Sequence, residues 1–147
     1  RNIEWPVVVM LAAMIPVGQA LETSGISLNI ANFISASTEG MALPWLILMV
    51  LVITMFVSDI VNNAATAVIM APIAANLALQ VGQPVEPFLM AVAVGASCAF
   101  LSPIGHQCNT LVMAPGNYKF GDYWRLGLPL ECVIVAISIP MILFVWT

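Results

Sequence analysis

Apolar residues run almost without interruption over residues 41–81, and Asp59 is the one formal charge among them. The interruption spans residues 58–66 and reads Ser-Asp-Ile-Val-Asn-Asn-Ala-Ala-Thr. A second polar break, Ser-Pro-Ile-Gly-His-Gln-Cys-Asn-Thr, follows at residues 102–110. In hydrocarbon, each polar group without a partner costs several kcal/mol, so both breaks must face protein, water or an ion. They read as two halves of one binding site.

Around these breaks the apolar pattern predicts a series of helices. Residues 3–21 form a first crossing, near the ~20 residues a bilayer requires, with Trp5 as interfacial anchor and a kink at Pro16. Residues 27–37 show no clean apolar stripe and predict an interfacial helix. Residues 42–80 predict a re-entrant helical hairpin. Its apolar arms, 42–57 and 67–80, reach only about 24 and 21 Å as helix, short of the ~30 Å hydrocarbon core. The alternative is two tilted crossings joined by a surface Asn62-Asn63 turn. Residues 86–117 predict a discontinuous crossing, because the apolar piece at 111–114 is too short to cross alone. Residues 126–146 form the last crossing, bent at Pro129 and Pro140. Glu131 lies near its start, where the helix dipole tolerates an acid, and no site is read from it.

Composition agrees with a membrane solvent. Of 147 residues, 62% are hydrophobic and 7% charged, whereas a soluble domain carries about 25% charged residues. The fold class is therefore all-α integral membrane. With three basic residues and a net charge of −4, the chain lacks the footprint of a nucleic-acid binder. Cys98, Cys108 and Cys132 are odd in number and widely spaced, implying neither a disulfide framework nor a metal centre. There is no basic segment ahead of a cleavage site, and the chain reads as the C-terminal part of something larger, its other half upstream of Arg1. The predicted layout gathers Arg1, Lys119 and Arg125 on one face, which the positive-inside rule makes cytoplasmic. Glu22, Glu39 and Glu86 fall opposite, with the C-terminus outside, in a plasma or bacterial inner membrane.

The polar side chains in the breaks are small hydroxyls and amides: Ser58, Asn62, Asn63, Thr66, Ser102, Gln107, Asn109 and Thr110. Helix N-termini meeting there, near Ala67 and Leu111, suit an anion; C-termini near Val57 and Leu101 offer carbonyls to a cation. Neutral oxygens with few formal charges suit a monovalent cation better than a divalent cage. No catalytic triad, phosphate loop or CxxC is present, so no enzyme and no cofactor is expected. Asp59 and His106 are the candidates for proton coupling, each with a structural alternative, a backbone partner for Asp59 and a packing role for His106. The paired asparagines also suit helix capping.

From Ile3 onward the chain resembles the C-terminal repeat of the divalent anion/sodium symporters, carriers of citrate, dicarboxylates and sulfate. That family is built of two inverted repeats, each with a re-entrant hairpin tipped by Ser-Asn-Thr and a helix broken at a Pro-containing loop ending in Asn. Here the tip reads Asn62-Asn63-Ala64 and the loop runs from Pro103 to Asn109-Thr110. The resemblance implies a sodium site made by Ser58, the Val61 carbonyl, Asn63 and the Gly105 carbonyl. It also implies a substrate site of Asn62, Asn63, Ala64, His106, Gln107 and Asn109, with Thr66 and Thr110 added from the polar pattern. Asn62, Ala64 and His106 depart from the family's usual residues.

The expected function is sodium-coupled symport of a small divalent anion, with sodium as coupling ion. The missing half of the same chain and the lipid bilayer are the implied partners, and a homodimer is compatible. The alternatives within the superfamily are a sodium/proton antiporter and an arsenite-permease-like carrier; rings of like charge expected of a channel are missing.

Overall fold

The computed structural model describes residues 23–38, 40–103 and 105–146, with residues 9, 12, 13, 16, 19 and 20 besides, and omits the side chains of Ser37 and Gln107. The first crossing expected at 3–21 and the acids Glu22 and Glu39 lie outside the described residues, apart from those helical positions. What is described is helical, without strands. Helix α1 is Ile26–Ser37, α2 Leu43–Ile60, α3 Asn63–Gln80, α4 Val85–Ala96, α5 Gln107–Met113 and α6 Phe120–Trp146.

Helices α2 and α3 form a hairpin whose connection is only Val61 and Asn62. Buried positions on α2 repeat as adjacent pairs every four residues: Leu46-Ile47, Val50-Leu51, Thr54-Met55, Ser58-Asp59. The last pair is polar but occupies the stripe of the apolar ones. It therefore enters the protein interior instead of lipid. The same spacing recurs on α3 with Ala65-Thr66, Ile73-Ala74 and Leu77-Ala78. Helix α4 packs against both arms, α1 covers α3, and α6 lies against α2 and α4. Ile47, Leu51, Leu77, Phe88 and Ala91 form the dry centre.

Each arm is 18 residues long, and by length and composition each could cross a membrane, as could α6. This changes one premise of the sequence reading, which counted shorter apolar arms. The arms gain about a turn each because Ser58, Asp59 and Asn63 to Thr66 are helical although the stretch is interrupted by polar residues. Arm length therefore no longer argues for a re-entrant tip. That argument passes to what the tip touches.

The second break also sits elsewhere than expected. Helix α4 stops at Ala96, and residues 97–103, 105 and 106 are non-helical before α5 begins at Gln107. The unwinding is earlier because the backbone here is committed to other partners, as the next section shows. Gly95 allows α4 to approach α2 closely: a Cβ there would lie 2.8 Å from Thr54 Cβ and 2.9 Å from the Leu51 carbonyl oxygen. The last helix is apolar on nearly all sides, with Leu126 78% and Phe144 88% exposed. In water such a surface would be untenable at this extent; it belongs to lipid or to further protein.

Candidate functional site

The hairpin tip docks onto the non-helical residues between α4 and α5 at Leu101, Ser102 and Gly105. Asp59 is buried, and its Oδ1 accepts the Leu101 backbone N–H at 2.9 Å. Its own carbonyl accepts the Ser102 hydroxyl at 2.6 Å, and the Ser102 Oγ in turn accepts the Gly105 N–H at 3.3 Å. Thus the Leu101 N–H and the Ser102 hydroxyl of the unwound segment are both taken up by Asp59 at the end of α2. Among the described residues Asp59 Oδ2 is buried without a hydrogen bond, as is Thr66 Oγ1.

Beside this brace lies the densest group of oxygens. Ser58 Oγ is fully buried and donates to the Ala96 carbonyl at 2.9 Å, the last residue of α4. One end of the Asn63 amide faces three acceptors, Ser58 Oγ at 3.0 Å, the Ala96 carbonyl at 3.2 Å and the Gly105 carbonyl at 3.3 Å, and the amide nitrogen turned this way donates to all three. Gly105 reaches this position because it lacks a side chain. A Cβ would lie 2.7 Å from the Ser58 carbonyl oxygen and 2.7 Å from Ala99 Cβ. The hairpin tip and both ends of the segment between α4 and α5 thus converge through one amide.

The other predicted residues fall around it. Asn62 is exposed and caps α3, its side chain accepting the Ala65 N–H at 2.8 Å. His106 is exposed and caps α5, Nδ1 accepting the Cys108 N–H at 3.2 Å. Ala64 is half-buried at the start of α3. Asn109 turns its amide nitrogen to the carbonyls of Ala99 at 2.8 Å and Ser102 at 3.2 Å. Thr110 is exposed, and its hydroxyl donates to the Pro103 carbonyl at 2.6 Å. Gln107 opens α5, and its side chain lies outside what is described. Thr66 is fully enclosed, one turn into α3, and is not gathered with the exposed group. Val61 stands between the arms in extended backbone. The helix ends that meet are Ile60 and Ala96 on the carbonyl side, and Asn63 and Gln107 on the N–H side, each several residues from the positions expected.

Two participants escaped the sequence reading. The Ala96 carbonyl left no signal, because an alanine within an apolar run betrays nothing about where its helix stops. The Tyr123 hydroxyl donates to the Asn109 carbonyl at 2.7 Å, and an aromatic among others beside an apolar run gives no sign of that partner.

A polar helical hairpin tip inserted against an unwound helix, in a chain otherwise clothed in apolar side chains, defines a membrane transporter domain. The chain belongs to the citrate transporter family, whose profile matches residues 1–95 and again residues 44–147. It is 38% identical over 146 residues to the uncharacterized transporter YfbS of Escherichia coli (strain K12), covering 97% of this chain and 23% of that protein. Sodium/sulfate cotransporter 2 of Chlamydomonas reinhardtii is 30% identical over 143 residues, 94% of this chain and 16% of its own length. The sodium-dependent high-affinity dicarboxylate transporter 3 of Caenorhabditis elegans is 31% identical over 135 residues, 90% and 24% respectively. The chain thus spans about a quarter or less of these curated relatives.

Proposed function

We propose that this chain is the cation-binding half of a sodium-coupled symporter for a small divalent anion. The observation that carries this reading is the Asn63 amide, one end of which faces Ser58 Oγ and the carbonyls of Ala96 and Gly105. Without a cation, the amide nitrogen satisfies those oxygens. Turned over, the amide presents its oxygen beside them, giving a monovalent cation several neutral ligands with no formal charge among them. Such a set holds sodium without trapping it. The Val61 carbonyl, at the same turn, completes the proposed set.

The anion binds on the exposed side of the same junction, among Asn62, Asn63, Ala64, His106, Gln107, Asn109 and Thr110, where α3 and α5 begin and their dipoles favour negative charge. The printed names of the relatives, a sodium/sulfate cotransporter and a sodium-dependent dicarboxylate transporter, support a divalent anion. Coupling follows from shared residues: Asn63 belongs to both sites, so sodium that turns its amide also sets the surface the anion meets. The junction lies near the bilayer midplane, since a buried cluster of this kind has no reason to form where water is at hand. Lys119 and Arg125 then lie on the cytoplasmic side.

The test is uptake by the full-length protein in liposomes of labelled sulfate, a dicarboxylate and citrate under an imposed sodium gradient. Uptake of at least one that needs sodium, and that potassium does not replace, is the expected result. Absence of sodium-dependent uptake of all three overturns the reading. Sodium-driven proton efflux without anion flux would replace it with an antiporter.

A further inference from the structure

Helix α5, which carries the anion-side residues from Gln107 onward, is seven residues long. That is well short of the ~12–15 residues at which a helix becomes even marginal alone. Among the described residues it packs against none of the other helices. Two of its side chains, Asn109 and Thr110, bond back to the non-helical segment just before it. Between α5 and the start of α6 lies a cavity of about 320 Å³ lined by Asn109, Val112, Tyr123, Leu126, Gly127 and Leu130 among others. Across this gap reaches the Tyr123 hydroxyl, donating to the Asn109 carbonyl at 2.7 Å.

The position of Tyr123 is itself fixed. Tyr123, Gly127 and Glu131 follow at four-residue intervals and share one stripe of α6. Gly127 is buried against the 97–106 segment: a Cβ there would run into the Phe100 carbonyl oxygen and lie 2.7 Å from its carbon and 3.1 Å from Leu101 N. The same Leu101 N–H is held by Asp59. The backbone between α4 and α5 is therefore gripped at Phe100-Leu101 by α2 and α6 together, and beyond it the Tyr123 phenol ties α5 to α6.

We infer that Tyr123 is a positioning residue for the anion site, setting where α5 presents His106, Gln107 and Asn109 across the cavity that separates it from α6. This rests on the symport reading only for what α5 binds. The sodium oxygens of Ser58, Val61, Asn63 and Ala96 belong to the α2–α3 hairpin and the end of α4, and Gly105 is tied to Ser102 through its own N–H, so none of them bonds to Tyr123. Loss of the phenol should thus separate the two affinities, which general destabilisation would not do.

The experiment is Tyr123→Phe in the full-length protein, which removes one hydroxyl and keeps the ring. The half-saturating anion concentration should rise about 3- to 10-fold while the half-saturating sodium concentration stays within about twofold. Independently of transport, amide hydrogen exchange should quicken in residues 107–113 and stay unchanged in α2 and α3. Wild-type exchange in 107–113 overturns the proposal, and so does quickening spread equally over α2, α3 and α5. An exchange change confined to 107–113 with no sodium-dependent anion flux even in the unmodified protein leaves Tyr123 as the holder of α5 and sinks the symport reading instead.

Discussion

Ser58 and Ala96 lie 38 residues apart, and the hydroxyl of the first donates to the carbonyl of the second at 2.9 Å where two helices end together. This contact joins the hairpin tip to the broken helix, and the amide of Asn63 closes over it. Ser58→Ala removes one oxygen and leaves the Ala96 carbonyl with one partner fewer. Asn63→Ala removes the group that reaches all three acceptors. The half-saturating sodium concentration for transport should rise in both, by about tenfold or more for Asn63→Ala and less for Ser58→Ala. Initial uptake rates measured across a sodium series at constant ionic strength check this.

Gly105 tests the geometry of the junction. An added methyl would meet the Ser58 carbonyl and Ala99 at 2.7 Å each, contacts that only backbone movement relieves, at a cost of about 1–3 kcal/mol. Gly105→Ala should therefore lower the melting temperature in detergent and abolish sodium-dependent uptake. Gly121→Ala, where the nearest atom is 4.0 Å away, should leave both close to the parent values.

Asp59 separates brace from coupler. Asp59→Asn keeps an oxygen for the Leu101 N–H, whereas Asp59→Ala does not. If the carboxylate serves as a brace, the Asn variant should keep uptake within a few-fold and the Ala variant should lose most of it. Equal loss in both, measured side by side, would show that charge at this position is what transport needs.

The cysteines report on water. Cys108 is exposed beside His106, Cys98 is buried, and Cys132 is exposed on the apolar α6. A charged, membrane-impermeant thiol reagent should modify Cys108, spare Cys98 and reach Cys132 poorly. Sodium with a transported anion should slow the reaction at Cys108, read by mass spectrometry of the labelled peptides.

Much of this arrangement was written in local pattern. The Ser58-Asp59 pair could be placed away from lipid because polar groups within an apolar run must face protein, water or an ion, and membrane character followed from composition alone. The asparagines at 62, 63 and 109 stood out because amides are expensive in an apolar run. Helix ends were harder. Apolarity falls off at Val57 and resumes at Ala67, but helicity follows hydrogen bonding, which Asn62 supplies through its side chain to Ala65. For the same reason α4 ends at Ala96 and not after Leu101: the Leu101 N–H is spoken for by Asp59, a partner 42 positions away that local pattern does not reveal. Tyr123 was hidden because an aromatic near a membrane surface has an ordinary explanation already.

The central claim is that sodium binds where Asn63 meets Ser58, Ala96 and Gly105. It is tested most directly by the melting temperature of the purified full-length protein as sodium replaces choline at fixed ionic strength. Ligand that binds only the folded state stabilises it by RT ln(1 + [L]/Kd). The unmodified protein should show a saturable, sodium-specific rise that Asn63→Ala largely loses. An Asn63→Ala protein whose melting temperature climbs with sodium along the same curve as the parent would contradict the account.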